Sequence, residues 1–351
     1  MMCMPGFFTQ PWNRYVSIFT GTDQVAETNE MAKKPVVFVT RKLPEAVHER
    51  LRRDYEPRLN LSDRLYSGKQ LAQVTEGADA LLPCPTDKLT ASVIEALPGS
   101  IKIIATFSVG YEHIDTAAAK ARGIIVTNTP DVLTDATADI TMLLLLGAAR
   151  RAYEGERMVR EGTWSSWAPT GMLGTHLTGK RLGIFGMGRI GQAVAKRAHG
   201  FDMEIHYSNR HRLKPDQEQG AAFYKSAEDM LPNCDFLSIN CPASRETYHW
   251  LNTERIRLLP RGAIVVNTAR GTIVDDEALI AALKSGHLAA AGLDVFENEP
   301  NINANYRPLP NTFLLPHLGS ATIETRNGMG FRALDNLDAY FAGKAPPDRV
   351  A

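Results

Sequence analysis

From residue 36 to residue 315 the chain repeats one pattern, a short apolar run followed by a stretch whose apolar positions recur every three or four residues. Runs of three to six apolar residues suit strands buried on both faces, and the longer period suits helices with one covered face. The predicted strands of the first series are 36–39, 80–82, 102–106 and 124–126, with helices at 44–55, 91–97 and 114–122. A second series predicts strands at 182–185, 204–207, 236–240, 263–267, 289–295 and 312–315, with helices at 190–198 and 275–285. Such alternation reads as βαβ units, hence an α/β protein with parallel sheets. Between the series, residues 130–162 predict one long helix or a pair. Its segment Met142-Leu-Leu-Leu-Leu146 is too apolar for an exposed face and is expected to form a buried connector. A last helix, about 322–342, fits either half on periodicity alone.

Residues 1–30 carry no strand or helix period, so 1–32 is expected to be a disordered extension, the fold beginning near Lys33 with Met31 as its start. An organelle-targeting role is the alternative, since only Arg14 is charged before Asp23. The length of 351 residues suits about two domains. Lys plus Arg and Asp plus Glu each number 39, so the excess of positive charge that phosphate-backbone binding needs is missing and nucleic acid is not an expected partner. The longest apolar stretch, 140–149, is half of the ~20 residues that span a bilayer, and no membrane association is expected. Cys3, Cys84, Cys234 and Cys241 form no Cys-x-x-Cys pair, which points to a reducing, cytoplasmic setting, and no metal site is expected.

Chemistry concentrates in the second half. Gly186-Met-Gly188-Arg189-Ile190-Gly191 lies between a predicted strand and a predicted helix, the context in which G-x-G-x-x-G makes a tight turn and lets backbone approach a pyrophosphate. An acid that would hold a ribose 2′-hydroxyl is expected about 20 residues later, yet the second strand ends Ser208-Asn209-Arg210-His211-Arg212. Asp202 and Glu204 stand at the far end of that strand. A hydroxyl, an amide and two guanidinium groups suit a 2′-phosphate, so NADP(H) is predicted over NAD(H), which stays possible. Three more strand ends carry polar groups: Asn267-Thr268-Ala269-Arg270, Asp294 and, after it, Glu299, and His317.

In this order, downstream of the glycine turn, these residues resemble the D-isomer-specific 2-hydroxyacid dehydrogenase family over roughly residues 35–344. The resemblance implies a catalytic triad. Arg270 would grip the substrate carboxylate and carbonyl, a task its planar fork suits. His317 would protonate the carbonyl oxygen while C4 of the nicotinamide delivers hydride, and Glu299 would favour the imidazolium and hold its tautomer. It also implies that the backbone N–H groups of Val109 and Gly110, in Thr106-Phe-Ser-Val-Gly110, complete the carboxylate site. Thr137 and Asp294 would hold the nicotinamide carboxamide, and Cys241, Thr268, Ala269, His317 and Gly319 would line the cofactor with Gly186, Gly188, Arg189, Ile190, Ser208, Asn209 and Arg210. The implied architecture has two Rossmann/flavodoxin-like domains. An NAD(P)-binding domain, 130–317, is inserted into a substrate-binding domain, 33–129 with 318–351, and the substrate lies in the cleft between them.

Within the family the chain looks most like glyoxylate and hydroxypyruvate reductases, through 130–139, Gly162-Thr-Trp164-Ser-Ser-Trp167-Ala-Pro169 and the acid-free end at Ser208. Asp139 departs from the usual Glu. The resemblance implies a homodimer in which Trp167 reaches the partner's site and limits substrate size; packing of both tryptophans at the interface is the alternative. Phosphite dehydrogenases carry a lysine where Val109 stands. A 2-ketogluconate reductase shares the phosphate features, and a dinucleotide-sensing corepressor-like module shares the triad; both stay open.

Overall fold

The computed structural model describes residues 33–351, so the expected extension at 1–32 lies outside the described residues. In chain order the first half holds β1 (Val36–Val39), α1 (Glu45–Asp54), β2 (Glu56–Leu59), α2 (Gly68–Val74), β3 (Ala80–Leu82), α3 (Ala91–Ala96), β4 (Ile103–Ala105), α4 (Thr116–Ala121) and β5 (Ile125–Thr127). Two helices follow, α5 (Thr134–Ala149) and α6 (Ala152–Arg160). The second half holds β6 (Arg181–Phe185), α7 (Arg189–His199), β7 (Glu204–Ser208), α8 (Pro215–Glu218), β8 (Ala222–Tyr224), α9 (Ala227–Met230), β9 (Phe236–Ile239) and α10 (Thr253–Leu258). It ends with β10 (Ala263–Asn267), α11 (Asp276–Lys284), β11 (Leu288–Leu293), β12 (Thr312–Leu314) and α12 (Ile323–Phe341).

These strands form two parallel sheets, one in the order β2-β1-β3-β4-β5 and one in the order β12-β11-β10-β9-β6-β7-β8. Both faces of each are covered, as parallel sheets require. In the first sheet Val37 and Val39 point into a core shared with Leu334 and Leu337 of α12, while Val36 and Phe38 point into the opposite core with Ile94. Periodicity left the last helix unassigned, and packing assigns it to the first sheet. Arg50 of α1 reaches Asp335 and Asp338 at 2.8 and 2.6 Å, and the α12 backbone at Phe331. The chain end then pairs with β5 through Val350 N–H to Val126 O at 2.8 Å and Val126 N–H to Ala351 O at 3.0 Å, covering an otherwise open edge.

The structure corrects the reading of the connector. Residues 130–162 contain the pair α5 and α6, and α5 packs on β10, β11, β12 and α7, so it is a covering layer of the second sheet. Its Leu143 is 45% exposed, so the apolar run is not buried all round. The strands the pattern missed, β2 and β8, are edges. In β2 the sequence Glu-Pro-Arg-Leu alternates exposed with half-buried positions, and Pro57 is tolerated there because an edge strand has a free side. Among the described residues no helix is long and apolar enough to cross a membrane.

Candidate active site

The order of the second sheet reverses between β6 and β9, and a crevice opens at the carboxyl ends of those strands, where open α/β sheets bind ligands. Gly186 follows β6 with φ +97°, and a Cβ there would lie 2.5 Å from the Cys241 backbone nitrogen after β9. Only glycine meets both demands. A Cβ on Gly191 would lie 2.6 Å from Gly186 O, so helix and turn are packed against each other, whereas beside Gly188 nothing stands within 4 Å. The first N–H groups of α7, from Arg189 and Ile190, lack intrahelical acceptors and border this open space. A cradle closed by backbone on one side and open over Gly188 fits a pyrophosphate.

The end of β7 is organised differently from the expectation. Ser208 is buried, and its carbonyl accepts from Gly186 N–H at 3.1 Å. Asn209 turns its side chain to the glycine loop, Oδ1 accepting from Met187 N–H at 2.7 Å. Arg212, expected as a second free guanidinium, is paired with Glu218 at 2.7 and 3.1 Å, and Tyr207 donates to the same carboxylate at 2.6 Å. These hydrogen bonds, the one from Arg212 foremost, hold the Glu218 carboxyl below its ordinary range. Arg210 is exposed and is the cation left at this strand end. Arg189, also exposed, sits 2.5 Å from Asp131, a surface pair of small energetic weight.

Across the crevice, β10 ends in buried Asn267, whose side chain shapes the following turn by accepting from Ala269 N–H at 3.0 Å and donating to Arg270 O at 2.9 Å. Arg270 donates to Ala269 O at 2.7 Å and to Glu112 Oε2 at 3.5 Å, so the guanidinium spans from the second sheet to the loop after β4. In that loop the Val109 carbonyl accepts from Asn128, just after β5, at 2.8 Å, and the Gly110 carbonyl from Ser108 at 2.7 Å. With their carbonyls held, the N–H groups of Val109 and Gly110 have no partner among the described residues. Ser108 and His113 both meet the Thr106 hydroxyl, at 2.9 and 3.0 Å, and burial pushes the His113 imidazole down to about 4.

Asp294 follows β11 and pins the third segment. Its carbonyl accepts from His317 N–H at 2.8 Å, and its carboxylate from Leu318 N–H at 2.6 Å and Gly319 N–H at 2.8 Å. Burial raises the Asp294 carboxyl despite those N–H groups. His317 has φ 56°, a left-handed conformation that costs a non-glycine residue about 1–2 kcal/mol, and three hydrogen bonds to one aspartate hold it there. The ring then meets Glu299, Nδ1 to Oε2 at 2.7 Å, while Glu299 Oε1 accepts from Phe296 N–H at 2.8 Å. Burial works to raise the Glu299 carboxyl, but the hydrogen bond and charge of His317 outweigh it and hold the group below its ordinary value. A carboxylate on Nδ1 leaves Nε2 as the nitrogen able to exchange a proton with a ligand.

These groups share one cleft of about 1600 Å³, which also touches Thr137, Cys241, Thr268 and Gly319. Thr137 and Thr268 are buried, their hydroxyls bonded to Gly319 O at 3.1 Å and to Thr141 at 2.9 Å. The triad, the Val109–Gly110 loop and the glycine turn are thus brought together. Trp167 is not: it is 79% exposed and does not line the cleft of its own chain. Sequence reasoning missed Glu112, His113 and Arg326. Glu112 acts through a contact with Arg270 158 residues away, and His113 and Arg326 through side chains turned into the interior or the cleft, which no local pattern announces.

Residues 142–319 match the family model for the D-isomer specific 2-hydroxyacid dehydrogenase, NAD binding domain. The chain is similar to the glycerate dehydrogenase of Hyphomicrobium methylovorum, 47% identical over 89% of this chain and 98% of the relative. It is 45% identical to the glyoxylate reductase of Thermococcus litoralis, over 90% of this chain and 97% of that one. Among solved structures, the NADPH-dependent glyoxylate/hydroxypyruvate reductase of Sinorhizobium meliloti, in complex with NADP and malonate, superposes with a TM-score of 0.81 at 34% identity, covering 91% of this chain and 97% of that one.

Proposed function

The chain belongs to the D-isomer specific 2-hydroxyacid dehydrogenase family and is an NAD(P)-dependent oxidoreductase of 2-hydroxy acids, and we propose that it uses NADPH to reduce small 2-oxo acids, glyoxylate to glycolate and hydroxypyruvate to D-glycerate. The observation that carries this reading is the His317–Glu299 pair at 2.7 Å sharing one cleft with Arg270 and two unpaired backbone N–H groups. We take 33–129 with 318–351 as the substrate-binding domain and 130–317 as the NAD(P)-binding domain.

A dinucleotide would be held by the turn at Gly186 and Gly188, the α7 N-terminus and the strand end at Ser208 and Arg210; when bound, it supplies the hydride. The protein's own residues do the rest. Arg270, with Val109 and Gly110 N–H, binds the substrate carboxylate by charge-assisted hydrogen bonds. Glu299 keeps the Nδ1 proton of His317 in place, so Nε2 gives its proton to the carbonyl oxygen as that oxygen gains negative charge. The imidazole ends neutral and the product is a 2-hydroxy acid. In the opposite direction the neutral ring takes the hydroxyl proton.

NADPH preference rests on the acid-free end of β7 and the exposed Arg210; the nearest carboxylate on α8, Glu218, is already neutralised by Arg212. For assembly we propose a homodimer, supported by exposed Tyr153, Val159, Trp164, Trp167 and Leu173 on α6 and the segment after it. A second reading, a larger polyhydroxylated substrate such as 2-ketogluconate, is favoured by the extension of the cleft past Gly110 to Arg41, Lys42 and Lys88.

The test is NADPH and NADH oxidation followed in parallel with glyoxylate, hydroxypyruvate, pyruvate and 2-ketogluconate. Fast NADPH-linked turnover of glyoxylate and hydroxypyruvate is expected. Preference for 2-ketogluconate would select the second reading, and tight NADPH binding without turnover would select the dinucleotide-sensing module. Ser208→Asp places a charge against the 2′-phosphate and is expected to shift preference toward NADH by at least about tenfold; an unchanged ratio would overturn the cofactor assignment.

A further inference from the structure

One cation in the cleft has no role in the chemistry described so far. Arg326, in the first turn of α12, lines the same cleft as His317 and Arg270. Its Nε donates to Ser320 O at 3.1 Å, which fixes the plane of the guanidinium, while its two terminal nitrogens have no hydrogen-bond partner and no carboxylate within ion-pair distance among the described residues. Burial depresses its basicity, and the nearby Cys84 and the Asp294 carboxylate recover only part of the loss. Neither is a free acceptor. Both Asp294 oxygens already take backbone N–H groups, and burial pushes the Cys84 thiol up to about 12. A half-buried guanidinium held by one hydrogen bond, with its remaining donors open to a ligand cleft, can exchange water for an acceptor that a ligand supplies.

The substrate's carboxylate and carbonyl are accounted for by Arg270, Val109, Gly110 and His317, which leaves its third substituent without an assigned partner in the cleft that Arg326 lines. We propose that Arg326 is a specificity-determining residue whose terminal N–H groups donate to an oxygen on the third carbon of the substrate, so that the site selects 3-hydroxy-2-oxo acids over their 3-deoxy analogues. This rests on the reductase reading above and deepens it. Glyoxylate, which lacks a third carbon, leaves Arg326 to water, whereas the methyl group of pyruvate is held against donors it does not satisfy.

The experiment compares hydroxypyruvate with pyruvate, which differ by one oxygen, in wild type, Arg326→Met and Arg326→Lys, each measured as kcat/KM with NADPH. In Arg326→Met the hydroxypyruvate-to-pyruvate ratio is expected to fall by about 10- to 100-fold, the range for losing a hydrogen bond to a charged donor, and Arg326→Lys to restore part of it. NADPH binding by fluorescence and the thermal midpoint report whether each variant is folded. A ratio unchanged in Arg326→Met, with both substrates falling together, assigns Arg326 a structural role and overturns the proposal. If the methionine variant does not fold, the ratio in Arg326→Lys and Arg326→Gln decides in the same way. A wild-type enzyme that reduces neither substrate nor glyoxylate fails the reductase reading itself, whereas one active on glyoxylate with an unchanged ratio in the variants fails only the Arg326 assignment.

Discussion

Gly110→Ala displaces the substrate anchor without replacing a triad residue. A Cβ on Gly110 would fall 1.9 Å from Arg270 Nη2, 3.0 Å from its Cζ and 2.5 Å from Glu112 Oε2. All three atoms lie at the ends of flexible side chains, and Gly110 is not among the glycines with positive φ, so the backbone accepts alanine and the side chains yield. To regain van der Waals contact the guanidinium must retreat by about 1.5 Å. A misplacement of about 1 Å at a positioning group costs on the order of 100-fold, or about 2.7 kcal/mol of transition-state stabilisation. Steady-state NADPH oxidation with glyoxylate is therefore expected to show kcat/KM reduced about 100-fold, with KM rising first because Arg270 binds the ground-state carboxylate as well. NADPH affinity and the thermal midpoint should stay near wild type, since the turn at Gly186 is remote from the substitution. A folded, NADPH-binding variant whose kcat/KM stays within about threefold of wild type would refute the assignment of Arg270 as the carboxylate anchor.

His317→Gln is expected to lower kcat by about 10²- to 10⁴-fold while NADPH still binds; wild-type turnover would remove His317 from the chemistry. His113 is held neutral down to about 4, so on acidification the unfolded chain takes up its proton first, near 6.5, and stability is lost as pH falls from 6.5 toward 4. The full loss is about 3 kcal/mol, and His113→Gln should flatten the pH dependence of the urea midpoint by one proton; equal slopes in the two proteins would contradict this. Asp348→Ala strips the acceptor from Arg332, bonded at 2.6 and 2.7 Å, and from buried Asn336 at 2.9 Å. A destabilisation of about 2 kcal/mol and a Tm lower by a few degrees are expected, and a Tm equal to wild type would show that the chain end does not brace β5.

Much of this protein is written locally. The alternation of apolar runs and helical periods suffices for an α/β fold because a strand buried on both faces must be apolar along most of its length, as β1 is throughout and β9 and β10 are apart from Ser238 and Asn267. The glycine turn is legible for a related reason: the bends at Gly186 and Gly191 exclude any Cβ, so the residue type itself records the geometry. Arg270, Glu299 and His317 were visible as polar groups after readable strands, and the family resemblance joined them into a triad. Edge strands β2 and β8 were not legible, since an edge need not be apolar, and the placement of α12 depended on Arg50 meeting Asp335 and Asp338 almost three hundred residues away. The same limit governs the site. Whether Arg212 is free or bound to Glu218, whether Asn209 faces a ligand or braces Met187, and that Arg326 enters the cleft with its terminal nitrogens unbonded among the described residues are facts of the packed structure. A residue's own chemistry sets what it can bind, and only the packed chain decides what is within reach.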